Sequence, residues 1–177
     1  MKKQITVDLE TLGRNESAFF VQIAAVEFDE DGNVIDYFNQ YVDFESYMRY
    51  PFTMDINTVV WWLGQSKESQ EKVFSDNVHR TPIEDVLALF EDWILGKGEC
   101  NIWQHSSFDV PKINYAIKEV LKHDQRINFY YWKDIRTLTE TTGIPKPKME
   151  KGVAHDALDD CVHQAHYISK CLKEVKK

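Results

Sequence analysis

A mixed α/β sheet with helices on both faces is the fold class the sequence predicts, and three observations carry it. Apolar residues alternate with period two near the N-terminus. They recur at steps of three and four over the last quarter of the chain. Between these regions the two patterns interleave, so that an antiparallel meander passes into strand–helix alternation. The 177 residues, 43 % hydrophobic and 13 % aromatic, suffice for one core and exclude a disordered chain. The 7 glycines and 5 prolines are too few for a fibrous protein, and we expect one domain over residues 1–177.

The elements follow in order. Ile5, Val7 and Leu9 alternate with Thr6 and Asp8, so Lys3 to Leu9 is a strand. Phe19 to Phe28 is a second. Asp29-Glu30-Asp31-Gly32-Asn33 turns the chain, with Gly32 free to take positive φ, and Val34 to Val42 makes a third. Asp55 caps a short helix through Trp61 and Trp62, and Ser66 to Phe74 is another. Thr81-Pro82-Ile83-Glu84 reads as a capping box, followed by Ile83, Val86, Leu87, Phe90 and Ile94 at helical spacing and a stop at Gly96. Glu99 to Trp103 is a buried strand. Pro111 opens a helix with Ile113, Ile117, Val120 and Leu121 on one face, and Phe129 to Trp132 is a further strand. A short helix spans Arg136 to Thr141, Gly143 to Lys151 is a loop, and Leu158 to Val175 is the last helix.

Several function classes drop out. No run of 18 apolar residues exists, so no membrane partner is expected. The N-terminus has no apolar secretory segment, and we expect a cytoplasmic chain. Three cysteines without C-x-x-C spacing suggest neither a disulfide framework nor a zinc ribbon. The net charge of −8 hides a split: residues 1–110 carry 20 acids against 8 bases, and residues 111–152 carry 9 bases against 5 acids. That basic stretch is a modest patch for a polyanion.

The acids supply the chemistry. Asp8 and Glu10 stand at i and i+2 at the end of an apolar strand, so both carboxylates point to one side. They repel, and a multivalent cation removes the penalty. Asp109 follows the Glu99–Trp103 strand, where an aspartate also commonly caps a helix. His155-Asp156-Ala157-Leu158-Asp159-Asp160 follows the proline-bearing loop. His155 and Asp160 lie about 140° apart on an ideal helix, so a loop or first turn must bring them together. Strand ends of an α/β sheet converge on one crevice. All-oxygen ligation selects Mg²⁺ or Mn²⁺, and four carboxylates suit two such ions. A histidine can then accept a proton from water. Cys161, His163 and His166 are poorly spaced for a transition metal.

Asp8-Leu9-Glu10-Thr11, Phe108-Asp109 and His155-x4-Asp160, in that order, resemble the three motifs of the DEDDh exonucleases. Further stretches, Gln22 to Asp29, Val60-Trp61-Trp62-Leu63 and His155 to Ala165, are most similar to a ribonuclease T-like branch of bacterial and phage 3′-exoribonucleases. The resemblance implies a ribonuclease H-like fold and 3′-to-5′ hydrolysis of single-stranded RNA or DNA ends, releasing nucleoside 5′-monophosphates. It implies Asp8 bridging two metals, Glu10 and Asp160 completing the nucleophile-side metal, Asp109 holding the other, and His155 as general base. Asp156 and Asp159 fall outside the motifs and read as ordinary helix-start acids. Gln104-His105-Ser106-Ser107-Phe108-Asp109 departs from the family's His-Asn-x-x-Phe-Asp. Thr11 and Leu12 would hold the terminal nucleotide, Phe108 would stack a base, and Lys146 and Lys148 would meet phosphate. Trp61 and Trp62 read as core or dimer contacts, and relatives suggest a homodimer. The rival readings are a catalytically silent nucleic-acid-binding module, a metal-independent hydrolase and a dinucleotide-specific phosphodiesterase.

Overall fold

The computed structural model describes residues 2–175. Six strands form one sheet in the order β4-β3-β2-β1-β5-β6. They are β1 (Lys3–Thr11), β2 (Phe20–Phe28), β3 (Val34–Val42), β4 (Arg80–Thr81), β5 (Cys100–Gln104) and β6 (Trp132–Asp134). The β1–β2 and β2–β3 pairs are antiparallel, and β1–β5 and β5–β6 are parallel. The expected meander therefore joins a parallel half at β1, the strand that carries Asp8 and Glu10. Gly32 turns the meander at φ 86°, as expected.

Six helices cover the sheet: α1 (Ile56–Leu63), α2 (Lys67–Phe74), α3 (Ile83–Gly96), α4 (Asp109–Ala116), α5 (Ile135–Thr142) and α6 (Ala157–Val175). On one face Ile5, Val7 and Leu9 of β1 pack with Val86, Leu87, Phe90 and Ile94 of α3 and Ile113 of α4. On the other, Ala24 and Val26 of β2 meet Ala157, Cys161, Ala165 and Ile168 of α6, with Ile135 and Leu138 of α5. The small side chains of Ala24, Ala157 and Ala165 let α6 lie close against the sheet.

Asp55 caps α1 as expected, and Ser66, expected as the first residue of the next helix, caps α2, each accepting a backbone N–H. The capping box at α3 does not form. Thr81 lies in β4 and its hydroxyl donates to Gln40 Oε1, while the first helical N–H, from Ile83, is taken by Ser46 Oγ. Glu84 instead accepts from Tyr50 and pairs with Arg49. The strand expected at Phe129 to Trp132 is a 3-10 turn over Phe129–Tyr131, capped by Asn128, before β6. Among the described residues no helix is long and apolar enough to cross a membrane.

Candidate active site

The alternation of β1 sorts its side chains. Ile5, Val7 and Leu9 enter the α3–α4 core, while Thr6, Asp8 and Glu10 face α6. The register against β2 shifts between Glu10 and Thr11, so the ladder turns irregular just past the second carboxylate. Asp160 belongs to the first turn of α6, and His155 precedes it outside the helix. His155 adopts φ 65°, a left-handed backbone that costs a non-glycine residue roughly 1–2 kcal/mol. Its N–H donates to Asp160 Oδ2 at 3.1 Å, which closes the angular gap an ideal helix would leave. Gly152 permits the approach. Its φ is 90°, and a Cβ there would stand 2.9 Å from the Asp159 side chain.

Glu10, His155 and Asp160 each offer an atom within 4.8 Å of the others. Asp8 accepts from Gln164 Nε2 at 2.9 Å, and Gln164 in turn accepts from Thr6 Oγ1 at 2.5 Å. Asp109 comes from the start of α4 and is 1 % exposed. It does not cap the helix. Its Oδ2 accepts the His105 N–H at 2.9 Å, which fixes the carboxylate under the β5–α4 loop. Burial pushes all four carboxyls above their ordinary range. Asp8 is raised further by the charges of Asp109, Glu10 and Asp160, and Glu10 by those of Asp160, Asp156 and Asp109. Among the described residues none of the four forms an ion pair with lysine or arginine. A buried acidic cluster that no lysine or arginine among the described residues pairs with fits hard divalent ions, with His155 at its edge.

These groups line or underlie a cleft of about 720 Å³. A recess of similar size, about 670 Å³, opens near Lys2, Glu27 and Lys173, but Lys3 and Lys173 there are already paired with Glu27 and Asp31. In the acidic cleft, Trp61 and Trp62 meet the His155 ring edge-on, with centroids 4.8 and 6.1 Å away. Trp62 is core, and its Nε1 donates to Thr11 O. Trp61 is 44 % exposed and forms a wall of the cleft, so of the two tryptophans expected as core or dimer contacts only Trp62 is core.

The remaining expected residues divide. Thr11, Phe108 and Lys146 line the cleft. Leu12 does not. Its side chain packs with Val21, Trp62 and Val73, and its N–H and carbonyl are bonded to Phe19 and Asp55, so it is no wall of this cleft. Lys148 is exposed and lies off the lining. Asp159 pairs with Lys72 at 3.6 Å. Asp156 is a helix-start acid but not an ordinary one. It is buried, caps α6 through Asp159 N, and accepts from Tyr41 OH at 2.9 Å and Gln22 Nε2. Gln22 Oε1 accepts the Ala157 N–H, so β2 and β3 together fix the start of α6. Cys161 is buried against Thr6 O and His163 reaches Pro147 O, so these two do not converge on a metal.

Two further residues belong here. Gln164 sits four residues after Asp160, a helical step that places both on one face. Lys112, 1 % exposed, donates to Arg14 O and Phe108 O at 3.0 Å, and its Nζ lies 3.4 Å from the centre of the Phe108 ring. It joins the β1–β2 loop to the β5–α4 loop beneath the cleft. Burial pulls it down to about 8, against the opposing charge of Asp109.

Comparison with known proteins agrees with this geometry. Exodeoxyribonuclease of Enterobacteria phage T4 is 27 % identical over 195 residues, which cover 88 % of this chain and 82 % of the relative. The zinc-bound complex of Escherichia coli ExoI with single-stranded DNA superposes with a TM-score of 0.67 at 14 % identity. It covers 99 % of this chain, which spans only 41 % of the ExoI chain. Pop2p of Schizosaccharomyces pombe, in a Mg²⁺- and Mn²⁺-bound form, gives 0.57 at 12 % identity, covering 94 % of this chain and 81 % of its own. The fold is thus the ribonuclease H-like α/β fold of these nucleases. Residues 3–172 match the family model of the 3′-5′ exoribonuclease Rv2179c-like domain. With the acids of the DEDDh pattern gathered at one cleft, the chain belongs to this family of 3′-5′ exonucleases.

Proposed function

We propose that the chain hydrolyses the terminal phosphodiester at 3′ ends of single-stranded RNA or DNA, releasing nucleoside 5′-monophosphates, and that it needs two Mg²⁺ or Mn²⁺ ions per site. The observation that carries this reading is the convergence of Glu10, Asp160 and His155 within 4.8 Å beside Asp8 and Asp109, with no lysine or arginine among the described residues in an ion pair with any of the four acids. Asp8, Glu10, Asp109 and Asp160 would hold the ions. When bound, such ions lower the pKa of the attacking water and neutralise charge at the leaving 3′-oxygen.

The chain's own residues do the rest. His155, pinned by Asp160 and the Trp61 edge, accepts the proton that the attacking water gives up. The new oxygen–phosphorus bond forms, the bond to the 3′-oxygen breaks, and the terminal nucleotide leaves with its 5′-phosphate. Gln164 orients Asp8 and thereby fixes which of its oxygens faces the cleft. Phe108, with Lys112 behind its ring, offers a flat surface for a base, a contact worth about 1–3 kcal/mol. Trp61 offers a second surface across from it. Lys146 at the rim meets phosphate.

The similarity to a single-stranded DNA complex and the family's exoribonuclease description support a single-stranded substrate without choosing the sugar. The test is digestion of matched 5′-labelled RNA and DNA strands with Mg²⁺, Mn²⁺ or EDTA. Stepwise shortening from the 3′ end, with mononucleotides released and activity lost in EDTA and in Asp8→Ala, is expected. Activity that survives EDTA, or binding without any cleavage, would overturn the proposal.

A further inference from the structure

We propose that Tyr41 and Ser69, neither of which lines the cleft, are positioning residues for His155: from the sheet and from α2 they clamp the left-handed turn that aims its imidazole. The inference rests on the exonuclease reading above and deepens it by naming what holds the proton acceptor in place.

The turn needs holding. His155 stands ahead of α6 at φ 65°, a backbone that a residue with a side chain keeps only where its surroundings dictate it. Among the described residues its imidazole makes no hydrogen bond, and it packs edge-on against Trp61 and Trp62. The backbone that carries the ring therefore sets its direction. That backbone is tied at almost every step. Val153 N–H donates to Asp159 Oδ2 at 2.9 Å, Ala154 O accepts from Ser69 Oγ at 2.9 Å, and Ala157 N–H donates to Gln22 Oε1 at 3.0 Å. His155 N–H goes to Asp160, and Asp159 N–H to Asp156 Oδ1. Ties within the turn move with it. Only those from other elements fix its place in the molecule, and they come from β2, β3 and α2. Lys72 of α2 also pairs with Asp159, but at 3.6 Å and through an exposed side chain, which makes that tie weak.

The sheet supplies the first clamp. Glu10 is the register partner of Gln22, and Gln22 of Tyr41, so one rung across β1, β2 and β3 sends three side chains from the same face. Glu10 carries the carboxylate that stands within 4.8 Å of the imidazole. The other two members hold Asp156, the residue after His155. Its Oδ2 accepts from Tyr41 OH at 2.9 Å and from Gln22 Nε2 at 3.3 Å. Asp156 is buried and pairs with no lysine or arginine among the described residues, so hydrogen bonds carry its charge. A single rung thus places both Glu10 and the turn that bears His155.

Helix α2 supplies the second clamp. Ser69 is buried, and its one hydroxyl proton goes to Ala154 O, the carbonyl just before His155. Ser66, which caps α2, donates to the Ser69 hydroxyl in turn. Proton transfer needs the acceptor within hydrogen-bond reach of the attacking water. Loosening either clamp lets the turn leave its left-handed backbone and carries the ring out of reach, while the groups that line the cleft stay where they are.

The experiment measures wild type, Tyr41→Phe and Ser69→Ala on a 5′-labelled single-stranded decamer with Mg²⁺. Each substitution is then repeated in a His155→Gly background, in single turnover with enzyme in excess. Glycine takes positive φ freely, so that background removes the imidazole and keeps the turn. Tyr41→Phe takes a donor from a buried carboxylate and should lower kcat about 10-fold, and Ser69→Ala, which loses a neutral bond, about 3-fold. KM and the Mg²⁺ concentration for half-maximal rate should stay within about 2-fold of wild type. In the His155→Gly background each substitution should cost less than about 2-fold, because its effect runs through a side chain that is gone. Equal fold-losses in both backgrounds would make the two residues merely structural. A rise in KM would place them in substrate binding, and a raised Mg²⁺ requirement would place them on Asp160. Each of these overturns the proposal. Circular dichroism at the assay temperature establishes folding, and either variant alone decides the test. A wild-type chain that shortens no strand would overturn the exonuclease reading itself, and this inference with it.

Discussion

Three glutamates are buried in this fold, and they are treated differently. Glu91 of α3 is fully buried and meets the Arg126 N–H and Nε at 2.9 and 3.1 Å, with His123 at 3.6 Å. Glu27 near the end of β2 meets Lys97 at 2.7 Å and Lys3 at 3.6 Å. Glu10, 7 % exposed, pairs with no lysine or arginine among the described residues and stands among the charges of Asp8, Asp156, Asp109 and Asp160. A buried charge costs several kcal/mol unless it is paired. Two of the three glutamates bring their partner from the chain. The third has no such partner among the described residues, and that difference marks the candidate site.

The comparison can be broken at either end. The largest expected effect is on activity. Asp8→Ala should lower turnover at least about 10³-fold, because it removes several kcal/mol of charge stabilisation, while its melting temperature without metal stays level or rises. A fall in stability equal to that of a core deletion would contradict the contrast. At the other end, Glu91→Ala should cost roughly 3 kcal/mol in denaturant unfolding, because it leaves the Arg126 N–H without its acceptor and opens a buried space, with turnover per folded molecule retained.

The pH dependence sharpens the contrast. Folded Asp8, Glu10, Asp109 and Asp160 hold protons more tightly than they do in the unfolded chain. Their raised values mean that metal-free stability is fullest below about pH 4 for this set. It falls as pH climbs through the folded values, which for Asp109 lie at about 7. From pH 5 to pH 8 in EDTA the loss should be on the order of 2–3 kcal/mol. Mg²⁺ or Mn²⁺ at pH 8 should restore it. Thermal melts across pH, with and without metal, measure this directly, and a flat profile would remove the idea of an uncompensated cluster.

Lys112 gives the smallest effect. It is the buried cation nearest Asp109, yet its protons go to Arg14 O, Phe108 O and the Phe108 ring. Lys112→Met should cost about 1–3 kcal/mol by leaving those carbonyls unpaired. It should also raise KM for oligonucleotides more than it lowers kcat, because the Phe108 ring loses its support. An effect on kcat alone would place Lys112 in the chemistry instead.

Much of this was legible in the residues. The period-two pattern of β1 gave both its core face and the shared side of Asp8 and Glu10. The ordered acids gave the site because strand ends of such a sheet meet. What the residues hid has physical causes. The Thr81 capping box failed because β4 pairing placed Thr81 beside Gln40, and a distant serine reached Ile83 N first. Phe129 and Tyr130 look like strand residues, but they are 72 % and 71 % exposed in a capped turn. Leu12 adjoins the first motif, but past the register shift after Glu10 its side chain lies in apolar packing. Gln22, Tyr41 and Asp156 form one buried network from three elements, and uncharged amides and hydroxyls leave no periodic signature. Gln164 alone was within reach, through its helical step from Asp160.

The most direct test is an anomalous diffraction map from crystals soaked in Mn²⁺. The account predicts peaks in contact with Asp8, Glu10 and Asp160 and with Asp8 and Asp109, absent in Asp8→Ala. A fully soaked crystal with no manganese at these carboxylates would contradict it.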